Sequence, residues 1–226
     1  VATYDTSDDI EYTSISEAAT AGWSLTDKVC NTTYGTCTSW GSPAGFTIVA
    51  DDDTTALGPE DGEFEMYYSG GSTETVTPTL NFADAESDLK LTLKHRYNFD
   101  YYSGMSTAYN GGQVLISTDD GDNWELFTPE GGYPGTMYNY AFYANPLYNQ
   151  AGFVHCGDCS GVSGTASDNE DKYIETVFDM ADYVGETEVK LKFQVGMYRY
   201  QYPGDGEHWY IDSLAFTGTG MESVAF

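Results

Sequence analysis

The chain has 226 residues, 40% hydrophobic and 15% aromatic, and its 36 acidic against 8 basic residues give a formal net charge of -28. That balance excludes nucleic acid as a partner, because phosphate recognition needs clustered Lys and Arg. No run approaches the roughly 18 apolar residues of a membrane span, which argues against membrane insertion.

With 20 Tyr, 25 Gly and only 7 Pro, strand formers and turn formers dominate, so most of the chain is expected to fold. The length suits one β-sandwich domain over residues 1–226, with its core over about 9–218 and a short tail at 219–226. Val1 does not open a signal peptide, which makes the chain a mature form or a piece of a longer one.

Taken in chain order, period-2 alternation predicts strands at Asp9–Thr13, Gly22–Leu25, Phe46–Ala50, Glu63–Tyr68, Val76–Phe82 and Leu89–Tyr97. Further strands are expected at Gln113–Thr118, Trp124–Phe127, Lys172–Phe178, Val189–Val195 and His208–Phe216. The helical turns are Ser16–Ala21 and Met180–Val184. About eleven strands with turn-rich connections imply an all-β fold, a two-sheet antiparallel β-sandwich of jelly-roll type with long ordered loops. The segment Thr128–Asp171, rich in Gly, Tyr and Asn, reads as one of those loops.

Two strands carry most of the positive charge. Leu89, Leu91, Leu93, His95 and Tyr97 alternate with Lys90, Lys94 and Arg96, while Val189, Leu191, Phe193 and Val195 alternate with Lys190 and Lys192. If the two strands are neighbours, their outer faces form one positive strip able to meet an acidic partner. The alternative is pairing within the sheet to acids such as Glu175 or Asp179.

The four cysteines fall into two close pairs. Disulfides Cys30–Cys37 and Cys156–Cys159 would each close a short loop in an oxidising compartment, which places the protein outside the cell or on its surface. A zinc site made from the four with His155 lacks the usual paired C-x₂-C knuckles.

Ser117-Thr118-Asp119-Asp120-Gly121-Asp122-Asn123-Trp124 matches the S-x-D-x-G-x-x-W pattern known as an Asp box, which is structural in sialidases. Asp119 is expected to cap backbone N–H groups, Gly121 to supply a positive φ, and Trp124 to fold back onto the next strand, so Ser117, Asp119, Gly121 and Trp124 belong to a turn.

A broader likeness joins Lys94-His95-Arg96-Tyr97-Asn98-Phe99, Tyr109-Asn110-Gly111-Gly112-Gln113-Val114, the Asp box, Gly131-Gly132-Tyr133, Asn145-Pro146-Leu147 and His208-Trp209-Tyr210-Ile211-Asp212. Together they resemble the MAM-like jelly-roll domains of bacterial extracellular proteins, including the domain that follows the catalytic part of immune inhibitor A-type metallopeptidases. The resemblance covers about Asp9 to Gly218 and implies a non-catalytic accessory or surface module. Jelly rolls of this kind often pin the first strand to the last with calcium. Asp9, Glu11, Asp51, Asp53 and Asp212 are the candidate ligands, with Glu63, Glu65 and Asp205 behind them, since Ca²⁺ takes six to eight hard oxygens.

Catalytic constellations are missing from the sequence: there is no H-E-x-x-H, no G-x-S-x-G and no Gly-rich phosphate loop. Aromatic residues such as Tyr198 and Tyr200, on one face of a strand, suit sugar stacking or a protein contact. The reading is therefore a calcium-stabilised binding or adhesion module for polysaccharide or protein. The alternatives are a self-assembling surface-layer or filament subunit joined by strand addition, or the accessory domain of a secreted metallopeptidase.

Overall fold

The computed structural model describes residues 3–8, 14–26, 46–50, 64–68, 73–99, 107–108, 110–137, 147, 149–154, 173–196 and 208–219. A six-stranded sheet runs in the order β12 (Ile174–Asp179), β6 (Lys90–Asn98), β14 (His208–Thr219), β4 (Phe64–Tyr68) and β3 (Phe46–Ala50), and β1 (Thr3–Asp8) also pairs with β14. A five-stranded sheet runs β2 (Ser24–Thr26), β5 (Thr73–Val76), β13 (Lys190–Gly196), β8 (Gly111–Ser117) and β9 (Glu125–Leu126). A third, small sheet joins β11 (Ala151–Gly152), β10 (Gly135–Met137) and β7 (Thr107–Ala108). Helix is confined, among the described residues, to α1 (Ile15–Thr20) and a 3₁₀ turn at Ala181–Tyr183.

The pairings are nested. β4 pairs with β14, β5 with β13, β6 with β12 and β8 with β9, while β4, β5, β6 and β8 alternate between the two large sheets. That wrapping is a jelly roll, and it gives the antiparallel β-sandwich that the alternating sequence predicts.

Alternation also decides the core. Leu91, Leu93, His95 and Tyr97 of β6 face inward, as do Leu191, Phe193 and Val195 of β13, and one cluster unites the apolar ones with Val114, Ile116, Phe178, Trp209 and Phe216. Each such side chain removed from water contributes about 1.5–3 kcal/mol. Trp209 packs so closely on β8 that a Cβ at Gly112 would lie 2.5 Å from its Cζ3, so this position demands glycine.

β14 changes its inward parity halfway. Trp209 and Ile211 are buried before the change, and Leu214 and Phe216 after it. The pairing with β6 shifts between Ile211 and Ser213, so Asp212 is the extra residue of a β-bulge. The far end of β14 is clamped where Asp88 accepts from the Thr219 N–H at 2.9 Å and from its hydroxyl, and the Glu86 N–H donates to the Thr219 carbonyl at 2.9 Å.

One strand is added and two expectations are corrected. The added strand is Thr3–Asp8, aligned against Leu214–Thr219 of β14, and the strand expected at Asp9–Thr13 lies outside the described residues. The strand expected at Val76–Phe82 is Thr73–Val76, followed by a single bridge from Leu80 to Val189. The segment Thr128–Asp171 is not uniformly irregular, because it supplies β10 and β11. Tyr133 fastens its start to the sandwich: the phenol accepts from the Val114 N–H at 2.9 Å and donates to the Phe127 carbonyl at 2.6 Å.

Candidate ligand-binding surfaces

Lys90, Lys94 and Arg96 lie on β6 of the six-stranded sheet, whereas Lys190 and Lys192 lie on β13 of the five-stranded sheet. The core separates the two strands, so the expected single positive strip does not exist. Local alternation was the same on both strands, but the jelly-roll wrapping places them on opposite outer faces.

Each of the four lysines has a carboxylate partner. Lys90 Nζ donates to Glu130 Oε1, and Lys94 Nζ lies 3.1 Å from Asp212 Oδ2. Lys190 Nζ lies 2.8 Å from Asp120 Oδ1, and Lys192 Nζ 3.5 Å from Glu74 Oε2. The hydrogen bond and charge of Glu130 raise the Lys90 pKa, with Asp179 adding to the attraction. Glu175 and Asp179 stand directly across β12 from Lys94 and Lys90, so acids within the sheet neutralise this face. Arg96 sits between two aromatic rings, its guanidinium carbon 4.1 Å from the Tyr210 centroid and 5.2 Å from that of Tyr173. The other expected contact residues, Tyr198 and Tyr200, lie outside the described residues.

Among the described residues no three His, Cys, Asp or Glu side chains gather as a metal-binding group. Of the five expected calcium ligands, only Asp212 is described; Asp9, Glu11, Asp51 and Asp53 lie outside. The Asp212 side chain is 3% exposed and the Lys94 side chain 14%, so the ammonium occupies the cation position at this carboxylate. Asp212 thus forms an internal ion pair with Lys94 through Oδ2. Cys30, Cys37, Cys156 and Cys159 also lie outside the described residues.

The Ser117–Trp124 segment is a closed hydrogen-bonded turn. Ser117 Oγ donates to Asp119 Oδ1 at 2.7 Å and accepts from the Gly121 N–H at 2.9 Å. Asp119 Oδ1 also accepts from the Asn123 N–H at 2.8 Å, and the Asn123 side-chain amide donates to Oδ2. These bonds, led by those from Asn123, pull the Asp119 pKa down to about 2. Gly121 takes φ 97°, and its neighbour Asp120 also has a positive φ of 55°. With both oxygens of Asp119 occupied by the turn, the aspartate organises backbone.

His95 is equally committed. Trp209 Nε1–H donates to His95 Nδ1 at 3.0 Å, so the neutral ring carries its proton on Nε2, which donates to Thr176 Oγ1 at 2.8 Å. The ring is fully buried against Phe153, 4.7 Å between centroids, and desolvation drives its pKa down to about 3. An imidazole in this state neither gives nor takes a proton near neutrality.

The outer face of the five-stranded sheet holds residues that the sequence did not single out. Glu74, Gln194 and Gln113 lie side by side across β5, β13 and β8. Gln113 Nε2–H donates to Gln194 Oε1 at 3.3 Å, and Gln194 Nε2–H donates to Glu74 Oε2 at 3.3 Å. The neighbouring row runs Val76, Lys192, Leu115 and Leu126. Leu126 is 40% exposed, the one exposed large hydrophobic among the described residues, and Lys192 Nζ stands 4.2 Å over the Trp124 ring. Each of these residue types is ordinary on an outward strand position. Only the cross-strand register brings them into one patch.

No protein-family model matches the chain, and no curated protein matches it. Among solved structures, the K1 adhesin domain of Lys-gingipain from Porphyromonas gingivalis W83 aligns over 96% of this chain and 99% of its own, with 12% identity and a TM-score of 0.43. A carbohydrate-binding module of the β-sandwich superfamily aligns over 84% of this chain and 61% of its own, with 14% identity and a TM-score of 0.35. At these identities and scores neither likeness bears on ligand or activity.

Proposed function

We propose that this chain is a non-catalytic extracellular binding module that holds a polysaccharide or protein on the outside of its sandwich. The observation that carries the reading is the outer face of the five-stranded sheet, where a hydrogen-bonded row of Glu74, Gln194 and Gln113 runs beside Leu115, Leu126 and Trp124. Such a surface offers hydrogen-bond donors, acceptors and apolar contact on rigid strands, which is what recognition requires.

Proton-transfer chemistry lacks support among the described residues. His95 is neutral, buried and hydrogen-bonded at both nitrogens, and Asp119 is spent on its turn. For strand addition, β3, β2 and β9 end their sheets, whereas β14 and part of β12 are already engaged. β14 is paired along both sides, with β6 on one and with β4 and β1 on the other, and the Glu130 N–H caps the Val177 carbonyl on edge strand β12 at 2.8 Å.

Incubation of the purified chain with immobilised polysaccharides and extracellular-matrix proteins tests the reading. Capture without release of sugar or peptide products is expected, together with sedimentation velocity showing no polymer in the absence of ligand. Product release, or spontaneous polymerisation with no capture, would refute it.

A further inference from the structure

We propose that the outer face of the five-stranded sheet takes a neutral, hydroxyl-rich glycan chain, lying across Gln194 and Glu74 with its apolar face on Leu126, Leu115 and Trp124. The inference rests on the binding-module reading and adds the ligand class, the site and the residue that orients it.

The choice of a neutral ligand follows from charge. The two cations of this face, Lys190 and Lys192, are matched by Asp120 and Glu74. The face is therefore locally balanced, while the whole chain carries -28 and repels acidic chains. A neutral glycan meets no such repulsion. Its hydroxyls both donate and accept, and the row presents both functions. Gln194 gives one amide hydrogen to Glu74, and Glu74 Oε2 receives it alongside the Lys192 ammonium. The second amide hydrogen of Gln194 and the other Glu74 oxygen have no partner among the described residues.

The apolar half of the ligand also has a counterpart. Leu115 and Leu126 face each other across β8 and β9, and half-buried Trp124 immediately precedes β9. Pyranose rings carry C–H faces flanked by hydroxyl rims, so a strip of this kind beside an amide row matches both parts. The row spans two strand spacings, about 9.5 Å, which suits a short run of rings.

Gln113 is a positioning residue. It is buried, its amide nitrogen is bonded to Gln194, and its Oε1 meets no donor. The bond fixes Gln194 Oε1 as the acceptor toward Gln113 and turns the Gln194 NH₂ toward Glu74 and the ligand. Replacing Gln113 removes this constraint without removing a ligand contact.

Affinity electrophoresis of the whole chain in gels containing galactomannan, xyloglucan or alginate provides the test. Retention by at least one of the two neutral polymers, and none by alginate, is expected. Gln194→Ala and Leu126→Ser should each weaken retention at least tenfold with unchanged thermal melting. Gln113→Met should weaken it several-fold, and its losses should be greatest for the polymer the wild type prefers. Preference for alginate overturns the proposal, as does neutral-polymer retention that survives both Gln194→Ala and Leu126→Ser. In either case the binding-module reading stands. Retention by no polysaccharide while a protein is captured also overturns the ligand class alone. Capture of neither kind overturns both.

Discussion

His95 offers a direct measurement of how the core is wired. Its folded pKa is about 3 because burial opposes the charged ring, against 6.5 for the free side chain. Above pH 6.5 the ring is neutral in both states and its contribution to stability is complete. As the pH falls, the unfolded chain binds a proton that the folded chain refuses, so stability is lost from about pH 6.5 down to about pH 3. Between pH 7 and pH 4.5 the linkage amounts to about 2–3 kcal/mol. Carboxylates titrate over part of the same range, so the wild type alone does not isolate the effect, but a comparison with His95→Gln does. Loss of the Trp209 and Thr176 bonds at their present geometry should cost about 1–3 kcal/mol at pH 7. At pH 4.5 the gap between variant and wild type should shrink by about 2–3 kcal/mol, enough to vanish or reverse. Urea denaturation of both proteins at the two pH values measures it. A gap that stays constant with pH would refute a buried neutral imidazole.

Gly112→Ala should lower stability by about 1–3 kcal/mol, because the new methyl would press on Trp209, and near-native urea midpoints would contradict that packing. Lys94→Met leaves the buried Asp212 carboxylate without its ammonium and should cost about 3–5 kcal/mol by chemical denaturation; a neutral outcome would mean that the pair contributes little to the fold. Calcium, if bound through the remaining acids, should raise stability by about 2.7 kcal/mol at a hundredfold excess over its dissociation constant, and identical melts in Ca²⁺ and chelator would remove it. Non-reducing peptide mapping should find Cys30 joined to Cys37 and Cys156 to Cys159, and four free thiols would contradict the oxidising compartment.

The jelly roll was legible because period-2 alternation is a local property. β6 and β13 each carry a run of inward residues that is apolar but for His95, and any sheet that buries them must place Lys90, Lys94, Lys190 and Lys192 outside. What alternation does not encode is which strands become neighbours. Both lysine strands look alike in sequence, and only the nested pairing of distant strands assigns them to different sheets. The same non-locality hid the row of Glu74, Gln194 and Gln113, whose members are separated by up to 120 positions. β1 was missed for the opposite reason. Its sequence TYDTSD has little apolar periodicity, and its strand form is set by the ladder with β14.

Asp212 has a role in the fold that its place in the sequence does not announce. In sequence it is an acid near the end of the last long strand, which is where a calcium ligand would be sought. In the fold it is the inserted residue of a bulge, placed after β14 stops pairing with β4 at Ile211 and before it pairs with β1 at Leu214. The bulge is required because Ile211 and Leu214 are three positions apart yet both enter the core, which a regular strand forbids. A residue at such a point loses its regular cross-strand neighbour, and a buried carboxylate there needs a cation. Lys94, opposite Ser213 across β6, supplies it. Parity therefore accounts for the position of this acid: it lets one strand change which residues it buries, and the lysine expected in a docking strip pairs with it.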